Sequence, residues 1–169
     1  MAQKTILDLL IQELRDTYSS ETQIEQGLGR MAQAATSPNL KEAFTTHREE
    51  TRVQIERLDQ VFQHLKASPQ GNDCEATQGL IAEAEEVIGA GLPDELLDVA
   101  LIMAAQKVEH YEIASYGSLL ALAEGCGLTE IAALLEKTLD EEEDTDEKLT
   151  DLAESEVNER AFEAARNAA

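Results

Sequence analysis

The 169-residue sequence has few of the residues that build β-sheets. It contains no tryptophan, three tyrosines and three phenylalanines, whereas strands are enriched in aromatic and β-branched residues. Strand signals are absent, and the three prolines leave long segments uninterrupted. Alanine, leucine and glutamate dominate instead, and all three favour helices. The sequence therefore predicts an all-α protein, with a length that fits one domain burying its own core.

Cysteine is scarce as well. Cys74 and Cys126 are the two cysteines of the chain, and neither has a second cysteine or a histidine at metal-binding spacing. This excludes a zinc knuckle and a redox dithiol of the C-x-x-C type. We expect both thiols to be reduced and structural, as in a cytoplasmic protein, with a disulfide between them as the alternative.

Positive charge is in deficit. Against 35 acidic residues stand 13 lysines and arginines, and the formal net charge at pH 7 is −22. Nucleic acid is excluded as a partner because binding to phosphates depends on basic side chains, and an anionic membrane surface is disfavoured for the same reason. The longest apolar run, near VALIMAA, is too short to span a bilayer. The start, MAQKTILDLL, has no signal-peptide cleavage site, so we expect a cytoplasmic protein.

Turn signals divide the chain into four long helices and one short helix. Proline and glycine clusters bound the predicted helices, which cover residues 5–35, 38–66, 74–88, 93 to the glycines at 125–127, and 128–157. Short turns follow the first and third long helices, and a long connection follows the second. This order predicts a four-helix bundle with one crossover, which carries the short helix. The bundle domain is expected over residues 1–157, followed by a frayed or partly helical tail over 158–169.

Each long helix has a row of residues at alternating steps of three and four, the spacing of a buried bundle seam. The row of the third long helix is Asp98, Ile102, Ala105, Glu109, Glu112, Tyr116, Leu119 and Ala123. The row of the fourth is Ala132, Leu135, Leu139, then Glu142 or Glu143, followed by Asp146, Leu149 and Ala153. Polar residues interrupt the rows of the first two helices at Glu21 and at His47, Glu50 and Gln54.

These interruptions lie at one depth of the predicted bundle. Antiparallel neighbours meet at positions equidistant from their turn, and Glu21 and Glu50 are equidistant from the first turn. Glu109 and Glu143 are likewise equidistant from Cys126 in the second turn. The connection between the halves has to return the chain by roughly 43 Å, at about 1.5 Å per helical residue, and the short helix with its extended flanks can cover this distance.

A cluster of buried carboxylates needs a positive partner, because burying one costs several kcal/mol and neighbouring carboxylates repel one another. His47 is the only cationic candidate on the predicted seams and cannot balance five carboxylates. We therefore predict a pair of metal ions, with His47 as a ligand rather than a core histidine. Oxygen-rich donors with one imidazole favour iron, with manganese close behind, over zinc or copper. The alternative is that these acids, like most in this sequence, lie on solvated faces.

Several segments resemble, in order and spacing, the YciE/YciF family of ferritin-like stress proteins. They are DTYSSETQIEQGLGRMA, HREETRVQIERLDQVF, GLIAEAEEVI, AAQKVEHYEIASYGSLLALAE and LLEKTLDEEEDTDEKLTDLA. The resemblance covers about residues 3 to 155, and EHYEIASYG is its most specific stretch. It implies a small relative of ferritin, rubrerythrin and manganese catalase, forming a homodimer and holding a dinuclear site.

The ferritin-like ligand pattern maps only in part. Glu21, Glu50, Glu109 and Glu112 match it, but its histidines do not: Val53 stands three residues after Glu50, and Asp146 three after Glu143. The predicted ligands of two iron or manganese ions are Glu21, His47, Glu50, Glu109, Glu112, Glu143 and Asp146, with the choice between Glu142 and Glu143 open.

Two functions follow. The first is a stress-linked dimetal oxidoreductase acting on peroxide or oxygen; the alternative is a non-catalytic bundle that binds metal or a partner protein.

Overall fold

Within residues 4–168, the part described by this computed structural model, the chain forms six α-helices and one π-helical turn. The helices are α1 (Ile6–Ala34), α2 (Pro38–Leu65), α3 (Glu75–Gly89), α4 (Asp94–Gly125), α5 (Thr129–Leu152) and α6 (Asn158–Ala168), and the π-helical turn, Ala153–Val157, joins the last two. Residues 1–3 of the predicted domain and residue 169 of the predicted tail lie outside the described residues. The described part contains no strand, so the all-α prediction is confirmed.

Local sequence signals set the helix ends. Thr5 caps α1 in a capping box with Asp8, each side chain bonding to the backbone of the other residue. Ser37 caps α2, and Pro38 occupies its first turn, where a missing N–H costs nothing. Gly127 follows α4 with a φ of 70°, a conformation that glycine adopts without strain.

The long helices pack as a bundle of two hairpins. Short turns join α1 to α2 and α4 to α5, and contacts between α1 and α4 and between α2 and α5 hold the hairpins together. The start of α1 packs beside the end of α4, so the two turns lie at opposite ends of the bundle. The segment from Leu65 to Asp94 therefore runs the length of the molecule, and it carries α3 along α1 and α4. This is the predicted crossover.

The buried interior consists of two apolar clusters with a polar layer between them. One cluster, at the α1–α2 turn, includes Ile24, Leu28, Met31, Leu40, Phe44, Leu101, Ile102 and Leu149. The other, at the α4–α5 turn, includes Leu10, Leu14, Leu58, Val61, Phe62, Leu119 and Leu135. Between them lie buried polar residues from all four long helices, among them Glu21, His47, Gln54, Arg57, Glu109, Glu112, Thr138 and Glu142.

The tail is a helix attached to the bundle. Asp98, buried at the start of α4, accepts hydrogen bonds from the backbone N–H groups of Thr36 and Ser37 at 2.7 and 2.8 Å. Arg160 of α6 lies 3.5 Å from the same carboxylate. Glu156, in the π-helical turn, accepts a hydrogen bond from the Ser37 hydroxyl at 2.7 Å. These contacts join the tail to the α1–α2 turn.

Among residues 4–168, no helix is long and apolar enough to cross a membrane.

Candidate metal centre

Four ionisable side chains from three helices converge in the polar layer. They are His47 of α2, Glu109 and Glu112 of α4, and Glu142 of α5, and one ligand atom of each lies within 4.8 Å of those of the others. All four residues are at most 3% exposed. His47 Nε2 lies 3.8 Å from Glu109 Oε1. The atoms are close enough to surround a shared cation.

Glu21 of α1 belongs to the same layer. Its side chain is completely buried, and its Oε1 accepts a hydrogen bond from the hydroxyl of Tyr116, which is also completely buried. Its Oε2 has no hydrogen-bond partner in the part of the chain that the structure describes. Tyr116 therefore holds one oxygen of this carboxylate and leaves the other free.

Unpaired buried polar atoms are concentrated in this layer. Among the described residues, nine buried side-chain nitrogen or oxygen atoms have no hydrogen-bond partner, and all nine belong to it. They are Glu21 Oε2, both ring nitrogens of His47, Gln54 Oε1, Glu109 Oε2, and both carboxylate oxygens of Glu112 and of Glu142. A buried polar group without a partner costs the fold about 1–3 kcal/mol, and more if it is charged. Such a concentration indicates a place built for a ligand that supplies the missing contacts.

The surroundings strongly perturb the carboxylates. Burial, followed by repulsion from neighbouring carboxylates, raises the pKa values of Glu21, Glu109 and Glu112 well above 4.5. The pKa of Glu142 rises to about 7, chiefly through burial. Without a cation the layer therefore favours protonated carboxyl groups, and a bound cation has to displace these protons.

His47 is perturbed in the opposite direction. Burial, with a smaller effect from the positive charge of Lys148, lowers its pKa from 6.5 to about 4. The imidazole is therefore neutral near pH 7, which is the form that binds metal ions.

The remaining predicted ligands lie outside this group of four. Glu50 is half-buried and lines a pocket next to His47. Asp146 is half-buried, and its carboxylate lies 3.3 Å from His110 Nε2. Glu143 is exposed.

The predicted inward face of α5 is correct at Ala132, Leu135 and Leu149 and is displaced by one position at Leu139 and Asp146. The buried positions of α5 are Ile131, Ala132, Leu135, Thr138, Glu142, Thr145 and Leu149. The prediction has Leu139 in place of Thr138 and Asp146 in place of Thr145, and it leaves the choice between Glu142 and Glu143 open. The structure places Glu142 inside and Glu143 outside. The interior position of Thr138 has a physical reason, since its hydroxyl accepts a hydrogen bond from buried Arg57.

Arg57 was missed by the sequence analysis, which treated His47 as the only cation on the seams. Arg57 is 5% exposed, and its guanidinium donates to both carboxylate oxygens of Glu141, at 2.8 and 2.9 Å. The positive charge of Arg57 opposes the rise in the pKa of Glu21, but its hydrogen bonds go to Glu141 and Thr138 rather than to the cluster. The signal available in the sequence is the position of Arg57 one turn after Gln54 and directly before Leu58.

Comparison with known proteins identifies the family. A family model described as a domain of unknown function, DUF892, matches residues 5–162. Protein YciF of Escherichia coli strain K12 is 51% identical over 164 residues, covering 95% of this chain and 98% of the relative. The chain belongs to the YciE/YciF family. This confirms the resemblance drawn from the sequence segments.

Solved structures share the fold of this chain. The crystal structure of the E. coli stress protein YciF matches with a TM-score of 0.89 at 51% identity, covering 92% of this chain and 99% of that chain. YcfI from Rhodopseudomonas palustris matches with a TM-score of 0.85 at 46% identity, covering 87% and 94%. A protein from Xanthomonas campestris, at 24% identity and a TM-score of 0.75, shares the fold alone.

Proposed function

We propose that the chain binds a pair of iron or manganese ions in the polar layer and acts as a stress-linked oxidoreductase on peroxide or oxygen. One observation carries this proposal. One ligand atom from each of His47, Glu109, Glu112 and Glu142 lies within 4.8 Å of those of the others, and buried oxygens of these glutamates have no hydrogen-bond partner within residues 4–168.

The charge of the layer supports a pair of divalent ions. Glu21, Glu109, Glu112 and Glu142 supply four negative charges when ionised, while His47 is neutral. Two divalent cations match these four charges. Without cations, an ionised carboxylate in this interior costs several kcal/mol.

The donor types support iron or manganese. The group offers carboxylate oxygens and one imidazole, and no cysteine belongs to it. Zinc and copper sites rely more on nitrogen and sulfur, whereas carboxylate-rich bundle interiors suit iron and manganese. Glu50, at the edge of the layer, is proposed as a further oxygen donor. Glu142 takes the place of Glu143 in the proposed set, and Asp146, next to His110, is left out.

The chain's own residues would prepare the centre. Tyr116 holds Glu21 through its hydroxyl, and the two apolar clusters above and below the layer limit the access of water. When bound, an iron or manganese pair supplies one-electron redox chemistry toward peroxide or oxygen.

The relatives support the link to stress, since YciF of E. coli is described as a stress protein. Pairing into a homodimer and a cytoplasmic setting stay predictions. So does the absence of nucleic acid as a partner, which rests on the net charge.

Metal analysis of protein purified without chelator tests the proposal. We expect about two equivalents of iron or manganese in the wild type, and their loss in Glu109→Ala and Glu142→Ala. Glu143→Ala is the matched control, because this exposed neighbour should leave the metal content unchanged. Equal metal content in all four proteins would refute the site.

Consumption of peroxide by the metal-loaded protein tests the oxidoreductase activity. Turnover that is absent in Glu109→Ala would support it. A loaded protein that consumes neither peroxide nor oxygen would favour the non-catalytic alternative.

A further inference from the structure

Tyr111 lies between the polar layer and the protein surface. In α4 it directly precedes Glu112, whose carboxylate belongs to the layer. The Tyr111 side chain is half-buried and lines a surface pocket of about 290 Å³ together with the exposed residues Glu13 and Ser118. Consecutive Cα atoms are about 3.8 Å apart, so a short covalent path connects this pocket with a proposed metal ligand.

The hydroxyl of Tyr111 has a proton acceptor beside it. It donates a hydrogen bond to Asp16 Oδ2 at 3.3 Å, and Cys74 Sγ lies 3.2 Å from the same phenolic oxygen. Asp16 is half-buried and lines the same pocket, where it can exchange protons with solvent. A phenol loses an electron more readily when a neighbouring base takes its proton in the same step. The pair of Tyr111 and Asp16 has this arrangement.

A series of buried hydrogen bonds supports Tyr111 from the side of α3. Cys74 Sγ accepts a hydrogen bond from Thr77 Oγ1 at 3.3 Å, and Thr77 Oγ1 lies 2.6 Å from Ser20 Oγ. Ser20 directly precedes Glu21 in α1. Cys74, Thr77 and Ser20 are at most 1% exposed. The series therefore holds the Cys74 thiol against the phenol and keeps water away from that side of it.

The other tyrosines are less well placed to carry an electron between the surface and the layer. The chain has three tyrosines and no tryptophan. Tyr116 is completely buried, and its hydroxyl bonds to Glu21, so its oxygen has no contact with solvent. The Tyr18 ring packs edge-on against Phe62 at 6.1 Å, in the apolar cluster at the α4–α5 turn. Tyr111 combines a proposed ligand as its chain neighbour, a carboxylate as proton acceptor and contact with a surface pocket.

We infer that Tyr111 relays one electron to the proposed metal pair while its phenolic proton moves to Asp16. The O–H bond of the phenol breaks, an O–H bond forms on the Asp16 carboxylate, and a neutral phenoxyl radical remains at Tyr111. An organic one-electron reductant at the surface pocket, such as a phenol or an enediol, then returns the electron, and Asp16 returns the proton. The inference rests on the proposed function, because the electron goes to the proposed metal pair.

Freeze-quenched electron paramagnetic resonance of iron-loaded protein mixed with peroxide tests the inference. We expect a phenoxyl signal in the wild type that narrows when the tyrosine rings are deuterated, and its loss in Tyr111→Phe. Tyr18→Phe is the matched control, since it removes another half-buried phenol and should keep the signal. Asp16→Asn removes the proton acceptor and should lower the initial rate of radical formation by about tenfold or more.

Oxidation of the metal-free protein separates this inference from the proposed function. Photogenerated ruthenium(III) tris-bipyridine removes one electron without a metal centre, and we expect Tyr111→Phe to lose most of the phenoxyl signal that Tyr18→Phe keeps. A Tyr111 signal in metal-free protein, from a wild type that takes up no metal, would remove the proposed function while keeping Tyr111 and Asp16 as the pair that gives up the electron and accepts the proton.

Two results would overturn the inference. One is a signal in the iron-loaded protein that survives Tyr111→Phe, and the other is radical formation in Asp16→Asn at the wild-type rate. Peroxide consumption by the loaded protein without a Tyr111 signal would remove this inference alone and leave the proposed function in place.

Discussion

Replacing Glu142 by glutamine should stabilise the metal-free protein while removing metal binding. Glutamine has nearly the same shape as glutamate but carries no charge. Glu142 is buried, and neither of its carboxylate oxygens has a hydrogen-bond partner among the described residues. The wild-type carboxylate therefore opposes folding whenever it is ionised, and the variant removes this opposition.

The magnitude follows from the pKa of Glu142, which burial raises from its ordinary value of 4.5 to about 7 in the folded protein. Since folding raises the pKa of this acid, its contribution to stability is complete below pH 4.5 and is lost as the pH rises through 7. At about 1.4 kcal/mol per pKa unit, the loss reaches about 3 kcal/mol by pH 8. Glu142→Gln should recover about 3 kcal/mol at pH 8 and much less at pH 5. Relief of repulsion on Glu21 and Glu109 acts in the same direction.

Urea denaturation of chelator-treated protein at pH 5 and pH 8, followed by circular dichroism, measures the difference. In thermal denaturation at pH 8, the melting temperature of Glu142→Gln should be about 6–12 °C higher than that of the wild type, for a chain of this size. Glu143→Gln controls for net charge, because it removes the same charge from the exposed neighbouring position. An equal gain from both variants, or a gain from Glu142→Gln that does not depend on pH, would show that Glu142 carries no burial penalty.

Three further changes probe other contacts. Tyr116→Phe removes the hydrogen bond to Glu21 and should weaken metal affinity, measured by chelator competition, by about tenfold or more. Unchanged affinity would contradict the role of Tyr116 in positioning Glu21. In metal-free protein, the lowered pKa of His47 makes the wild type lose stability as the pH falls through about 4. The free energy of unfolding of His47→Leu, measured by urea denaturation relative to the wild type, should therefore rise by about 3 kcal/mol from pH 7 to pH 4. A difference that stays the same at both pH values would contradict this. Asp98→Ala leaves two backbone N–H groups and Arg160 without their acceptor. The free energy of unfolding in urea should fall by about 3 kcal/mol, while the metal content should not change. A loss under about 1 kcal/mol would refute the importance of this contact.

The row predicted for α4 is confirmed, and Leu101, Ala104 and Val108 are buried beside it. Every residue of its predicted row, from Asp98 to Ala123, is buried. This helix is apolar enough that its polar interruptions, Glu109 and Glu112, stand out against a continuous background. The turn signals were equally clear, because proline and glycine act locally and depend little on the rest of the fold.

The sequence left open which glutamate of α5 faces the interior. Three consecutive glutamates at 141–143 give no local signal of which one is buried. The answer depends on Arg57 of α2, which bonds to Thr138 and Glu141 and so helps to fix the orientation of α5. A contact between residues more than 80 positions apart has no counterpart in the periodicity of either helix.

The separation of the interior into two apolar clusters has a consequence for how the sequence can diverge. The clusters have no residue in common, and substitutions at distant sites without shared partners change stability almost additively. Apolar residues at one end of the bundle can accordingly be substituted during evolution without matching substitutions at the other end. In the polar layer between the clusters, by contrast, residues of all four long helices contribute to one site, so a substitution on one helix affects the other three.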